Sequence, residues 1–160
     1  MRKVAVIALV VMASVVFLST ASAENDARGK CVAKCKEAVQ LINDKGLDAA
    51  LAVINSKDGG FAWGDSYLFV VDFQGKQVAS GFFPNYNGMN IIDMKNKDGR
   101  MVIREFIDIA KTKGEGWLEY MWPKPEEMSK PPDQRIYSKK ASHVLRVPGQ
   151  DMFVVAGVHE

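Results

Sequence analysis

The spacing of apolar and polar residues changes period along this chain, and each change marks an element. Val4–Leu18 (VAVIALVVMASVVFL) is an almost unbroken apolar run. From Asp26 to Asn43 the period is that of a helix. Ala27, Cys31, Cys35, Ala38, Val39 and Ile42 recur every three or four residues, and Arg28, Lys30, Lys34, Lys36 and Glu37 fill the remaining positions. Asp26 stands where a helix N-cap is expected. Gly46 interrupts the pattern, and Leu47–Ile54 predicts a second, shorter helix. Asn55–Gly64 is a turn-rich connector whose Phe61 and Trp63 read as a plug on the domain core before they read as a ligand site.

From Tyr67 the period becomes two. Tyr67–Asp72 predicts a short apolar strand, Phe73–Lys76 a hairpin turn and Gln77–Phe82 the return strand. Phe83–Asn90 is a loop by composition. Lys95–Gly99 is a polar turn opening a helix from Arg100 to Lys113, with Val102, Ile103, Phe106, Ile109 and Ala110 as its apolar stripe. Gly114 stops that helix in the position glycine prefers. Gly116–Trp122 is the next strand, ended by Pro123 and Pro125. Glu126–Asp133, with Pro131 and Pro132, is an exposed loop. Gln134–Val147 is a long strand, Pro148–Asp151 a turn and Met152–Val158 the closing strand. Strands joined by hairpins, with helices on one side, predict an α+β fold with an antiparallel sheet of about five strands. The closing hairpin is expected beside the first strand.

Composition refines the boundaries. A chain of 160 residues is sized for one domain. Arg2 and Lys3, the apolar run and Ala21-Ser22-Ala23 together read as a secretory signal peptide, cleaved near Ala23. The run is shorter than the roughly 20 residues a spanning helix needs, which sets cleavage ahead of a retained anchor. The expected division is a leader at 1–23, helices at 24–56 and a sheet domain at 65–160. The product would be soluble and exported, in the periplasm where the cell has an outer membrane, otherwise secreted. Loss of Arg2 and Lys3 takes the 21 basic residues to 19, equal to the 19 acidic ones. No basic run is present, so a nucleic-acid partner is not expected.

Cys31 and Cys35 lie four apart and share a helix face. Three readings stay open: a pair of small buried side chains, a disulfide, and covalent haem attachment. The last wants C-x-x-C-H, whereas here three residues separate the cysteines and Lys36 follows.

Catalytic signatures are missing. No H-E-x-x-H, G-x-S-x-G, P-loop or G-x-G-x-x-G occurs, and Asp93, Asp98 and Asp108 are too dispersed for a calcium loop. The histidines are His143 and His159, the latter next to the C-terminus and expected to fray. Binding chemistry is better represented on the two long strands. Trp117 and Glu119 face one way, and Leu118, Tyr120 and Trp122 the other. Lys140, Ser142 and Val144 share a face, opposite Lys139, Ala141, His143 and Leu145. A cation, a hydroxyl and aromatic walls suit a small organic anion. The alternatives are that Tyr120 and Trp122 are plain core and that Lys140 lies on a solvated edge.

These residues also carry a resemblance. Gly114–Pro125 (GEGWLEYMWPKP), Lys140–Pro148 (KASHVLRVP) and Phe153–Val158 (FVVAGV) resemble the motifs of a single Cache domain of the extracellular sensor superfamily. Tyr67–Asp72, the Pro84, Gly88 and Asn90 loop and Asp98-Gly99 fit upstream, so the likeness spans Glu24–Glu160. It implies a PAS-like antiparallel sheet behind a long N-terminal helix, with a ligand cavity on the sheet. It implies a small carboxylate or amino acid as ligand; with the catalytic signatures missing, neither catalysis nor a cofactor is expected. Relatives are mostly the outer halves of chemoreceptors and histidine kinases. This chain stops at Glu160, so a standalone exported version is expected, signalling through a membrane receptor or kinase partner. The ligand set is then Tyr67, Trp117, Tyr120 and Trp122 as walls, with Lys140, Ser142 and His143 as polar contacts. His143, Phe83 and His159 depart from the family pattern, which has tyrosine, histidine and tyrosine there. Competing readings are a protein-interaction module that forms a homodimer through the N-terminal helix, and a haem or redox sensor through Cys31 and Cys35.

Overall fold

The computed structural model describes the backbone from Arg2 to Glu160 and the side chains from Ala23 onward. The leader reading, with its apolar run at 4–18, falls outside the described side chains. Among the described residues no helix is long and apolar enough to cross a membrane.

Helix α1 (Arg2–Lys45) and helix α2 (Leu47–Asn55) precede strands β1 (Ala62–Trp63), β2 (Ser66–Asp72) and β3 (Gln77–Ser80). Helix α3 (Val102–Thr112) and strands β4 (Glu115–Pro123), β5 (Tyr137–Arg146) and β6 (Met152–His159) complete the chain. All strand pairings are antiparallel, and the six strands form one sheet in the order β1-β2-β6-β5-β4, with β3 also paired to β2. The closing strand thus lies beside the first long one, as the hairpin arithmetic predicts.

Alternation divides the core into two layers. Leu68, Val70, Val154 and Ala156 point to α1 and α2, where they meet Cys31, Cys35, Ala38, Ala50 and Ile54. Tyr67, Phe69, Val71, Phe153 and Val155 point the other way, toward Val102, Ile103, Phe106 and Ala110 of α3. Phe61 is buried in the first layer, the plug expected of the connector.

Several boundaries differ from the sequence reading. Asp26 is not an N-cap, because α1 runs through it without a break. The return strand ends at Ser80, whose hydroxyl accepts the N–H groups of Phe82 and Phe83 and so withdraws them from the ladder. Strand β5 begins at Tyr137, because Pro131 and Pro132 lack N–H groups and turn the chain into a short 3₁₀ segment, Pro132–Gln134. Gly114 ends α3 as predicted: its φ is 80°, and its N–H returns to the Ile109 carbonyl.

Cys31 and Cys35 are free thiols with no exposed surface. Burial pushes Cys31 up to about 11 and Cys35 higher still, so both are protonated. Cys35 Sγ points at the His143 carbonyl, 3.6 Å away. They behave as small apolar side chains between helix and sheet. The disulfide and haem readings do not fit this placement, since no sulfur–sulfur bond forms and neither sulfur reaches a surface.

Candidate functional site

The register of four strands builds a polar row on the α3 side of the sheet. Tyr67 of β2, Gly157 of β6 and Ser142 of β5 are cross-strand partners. Tyr120 of β4, Lys140 of β5 and His159 of β6 form the next rank. Cross-strand partners point to one face, so these side chains converge. Gly157 leaves the space that Lys140 fills. A Cβ at Gly157 would stand 2.2 Å from Ser142 Oγ and 2.6 Å from Lys140 Cε. The Tyr120 and Ser142 hydroxyls are hydrogen-bonded at 2.9 Å.

Lys140 is only 1% exposed. Its ammonium lies 4.1 Å from the centre of the Tyr67 ring, within cation–π range. Among the described residues it forms no salt bridge. Burial lowers its pKa to about 7, against which the nearby Cys31 and Asp65 act only in part. Burial likewise holds the Tyr67 and Tyr120 hydroxyls well above their ordinary range.

Above this row lies a cavity of about 50 Å³. The sheet supplies Tyr67, Phe69, Tyr120 and Trp122; α3 supplies Val102, Ile103 and Phe106; the loops supply Phe83, Tyr86, Ile91, Met94 and Met128. Gln77 is the one amide in the wall, and its Nε2 is occupied by the Phe83 carbonyl and Asn87 Oδ1. Lys140 does not line the cavity directly. It stands behind the Tyr67 ring that does.

Of the predicted ligand set, Tyr67, Tyr120, Trp122, Lys140 and Ser142 share this side of the sheet. Trp117 and His143 do not. Strand alternation turns them to the opposite face, under α1, where their rings pack at 5.2 Å and Arg28 lies 5.4 Å above Trp117. His143 is buried there, 3.7 Å from Glu115, with its pKa lowered by burial. Neither can touch a ligand in the cavity. His159 is not frayed: it is the last residue of β6, and its Nδ1 is 2.8 Å from Ser138 Oγ. Burial lowers its pKa to about 4. The walls contributed by Phe83, Tyr86, Met94 and Met128 come from segments without periodicity, so sequence pattern carried no signal for them beyond their apolar character. Phe106 was visible only as a stripe residue of α3. Among the described residues no group of three or more His, Cys, Asp or Glu side chains could hold a metal ion.

The sequence profile of the Cache domain family matches residues 54–159. The sensor histidine kinase MctS of Rhizobium johnstonii is 36% identical over 95 residues, covering 55% of this chain and 20% of that protein. The chain therefore spans about a fifth of the length of that curated relative. A solved periplasmic sensor domain of a chemotaxis protein superposes with a TM-score of 0.67 at 20% identity, covering 88% of this chain and 96% of that one. A methyl-accepting chemotaxis protein from Vibrio parahaemolyticus gives 0.65 at 19%, covering 88% and 90%. A Cache chemosensory domain described for carboxylic acid recognition gives 0.61 at 20%, covering 91% and 97%. These likenesses establish the fold: a PAS-like antiparallel sheet with a long N-terminal helix, the α+β arrangement read from the sequence.

Proposed function

This chain belongs to the Cache domain family, and from that premise we propose that it is a sensor module that binds a small monocarboxylate outside the cytoplasm without transforming it. The observation that carries the reading is Lys140: a buried ammonium with an aromatic ring for company and, among the described residues, no salt bridge, Asp65 acting on it only from beyond contact distance. A buried charge without a counter-charge is costly. A carboxylate that replaced the Tyr67 ring as its partner would relieve that penalty, with Tyr120 and Ser142 as hydrogen-bonding neighbours. The apolar cavity would take the hydrocarbon end. A water needs roughly 10–15 Å³ of such space, so this chamber suits a ligand of only a few heavy atoms. The cavity wall contains no Asp or Glu among the described residues, so the ammonium of an amino acid would lack a partner. Carboxylic acid recognition by a domain of the same fold supports this direction.

Signalling would run through a membrane receptor or kinase, of the sort represented by the sensor histidine kinase MctS. The test is calorimetric titration of the chain with acetate, propionate and butyrate, with Lys140→Ala in parallel. Binding by the wild type and a loss of about 2–5 kcal/mol in the variant, at least ~30-fold in Kd, are expected. Equal affinity in both would overturn the role of Lys140. No binding of any small carboxylate would leave the interaction module as the better reading.

A further inference from the structure

The cavity does not end at its apolar chamber. A second hollow of about 90 Å³ lies against it, bounded by Lys95, Pro123, Arg135 and Tyr137 and reaching the surface at exposed Lys95. Tyr86, Met94, Trp122 and Met128 belong to the walls of both hollows. They form the partition between them, and they are unequal in stiffness. Trp122 is held on β4 with its ring 5.8 Å from Tyr120, edge to face. Tyr86 is held the same way, 5.9 Å from Phe83. Met94 and Met128 are unbranched thioethers with three rotatable bonds, the side chain that most readily changes shape to fit its surroundings.

The backbone that carries Met128 is anchored. Arg135 donates from Nη2 to the Met128 carbonyl at 3.1 Å and from Nε to the Lys130 carbonyl at 2.8 Å. The Glu127 carboxylate accepts the Ile136 N–H at 2.9 Å and pairs with Lys130. Side-chain rotation can therefore open the partition without moving the segment.

We infer that Met94 and Met128 are specificity-determining residues: a partition that sets how long an acyl chain the sensor accepts. A carboxylate that reaches Lys140 displaces the Tyr67 ring that screens it from the chamber, and its hydrocarbon end then lies in the chamber whose wall includes Met94 and Met128. Where these two stay in place, the chamber holds only a short chain, since its volume of about 50 Å³ corresponds to about four water-sized spaces. Where they are cut back, chamber and outer hollow join, and a longer chain fits. This rests on the small-carboxylate reading above.

The experiment is calorimetric titration of the full chain with straight-chain carboxylates from acetate to octanoate, for the wild type, Met128→Ala and Met94→Ala. The quantity read is the hexanoate-to-propionate affinity ratio, which removes any uniform weakening. At least a tenfold rise in either variant is expected. Met89→Ala, at an exposed methionine outside both hollows, keeps the wild-type ratio. If the wild type binds propionate and both partition variants keep its ratio, the partition is overturned and the carboxylate reading stands. If the wild type binds no member of the series, the carboxylate reading falls and this inference with it. Two variants at separate positions keep the test readable should one of them fold poorly.

Discussion

A lysine ammonium buried against a tyrosine ring is the residue on which the site turns. If Lys140 seats the anion as proposed, its pKa lowered to about 7 makes ligand affinity pH-dependent, and the sign follows from which form binds. A carboxylate takes the ammonium form, so below pH 7 affinity is flat for as long as the ligand itself stays ionised. Above it, affinity falls by up to tenfold per pH unit, until the pH passes the higher pKa that Lys140 acquires in the complex. Neighbouring groups do not mask this. His159 is pushed down to about 4 by burial and by Lys140 itself, and the Cys31 thiol is pushed up to about 11. Titrating propionate at pH 6, 7, 8 and 9 should show the decline, with proton uptake at pH 8; a constant Kd across that range would remove Lys140 from the anion seat. Without ligand the linkage runs the other way for stability. The folded chain releases this proton near pH 7 and the unfolded chain near 10.5, so this one group adds stability as pH rises between those values.

At the scale of elements, the seat depends on a strand residue that has no side chain. Gly157→Ala would place a methyl group 2.2 Å from Ser142 Oγ and 2.6 Å from Lys140 Cε. The lysine chain must give way, at about 1–3 kcal/mol of overpacking, and carboxylate affinity should fall at least tenfold in the same titration. Gly29→Ala is the contrast, since a Cβ there meets nothing within 4 Å. It should be neutral or slightly stabilising, because alanine is the better helix former. Retained affinity in Gly157→Ala would mean that the Lys140 conformation seen here is not the one that binds. The elements themselves were largely legible in the sequence, because period-two stretches, Gly114 and the proline clusters carry local physics. Alternation also grouped Tyr120 with Trp122 and Lys140 with Ser142 correctly. What alternation cannot say is which helix covers which face. Trp117 and His143 look as suited to a ligand as Tyr120 and Ser142, and only the docking of α1 separates them. The loop walls at Phe83, Met94 and Met128 depend on where irregular backbone passes, which no periodicity encodes.

At the scale of the molecule, α1 is tied to the far rim of the sheet by charge as well as by its apolar stripe. Arg28 donates to Glu119 of β4 and to Glu160 beyond β6, each at 2.7 Å. Lys139 of β5 bridges the same two carboxylates at 3.1 and 2.9 Å. Arg28→Ala should speed amide hydrogen exchange in the 24–36 stretch of α1. The difference should shrink near 1 M salt, where the screening length is about 3 Å. Protection that is unchanged at low salt would show that apolar contact alone holds the helix. The members of this junction are also the immediate chain neighbours of the polar row: Glu119 precedes Tyr120, Lys139 precedes Lys140 and Glu160 follows His159. A pleated strand carries consecutive side chains to opposite faces on one stiff ribbon. Ligand seat and helix anchor are therefore mounted back to back, one peptide unit apart. The sheet is a mechanical linkage at this rim: a shift of Lys140 along β5 would be carried through the adjacent Lys139 to the clasp that grips Arg28.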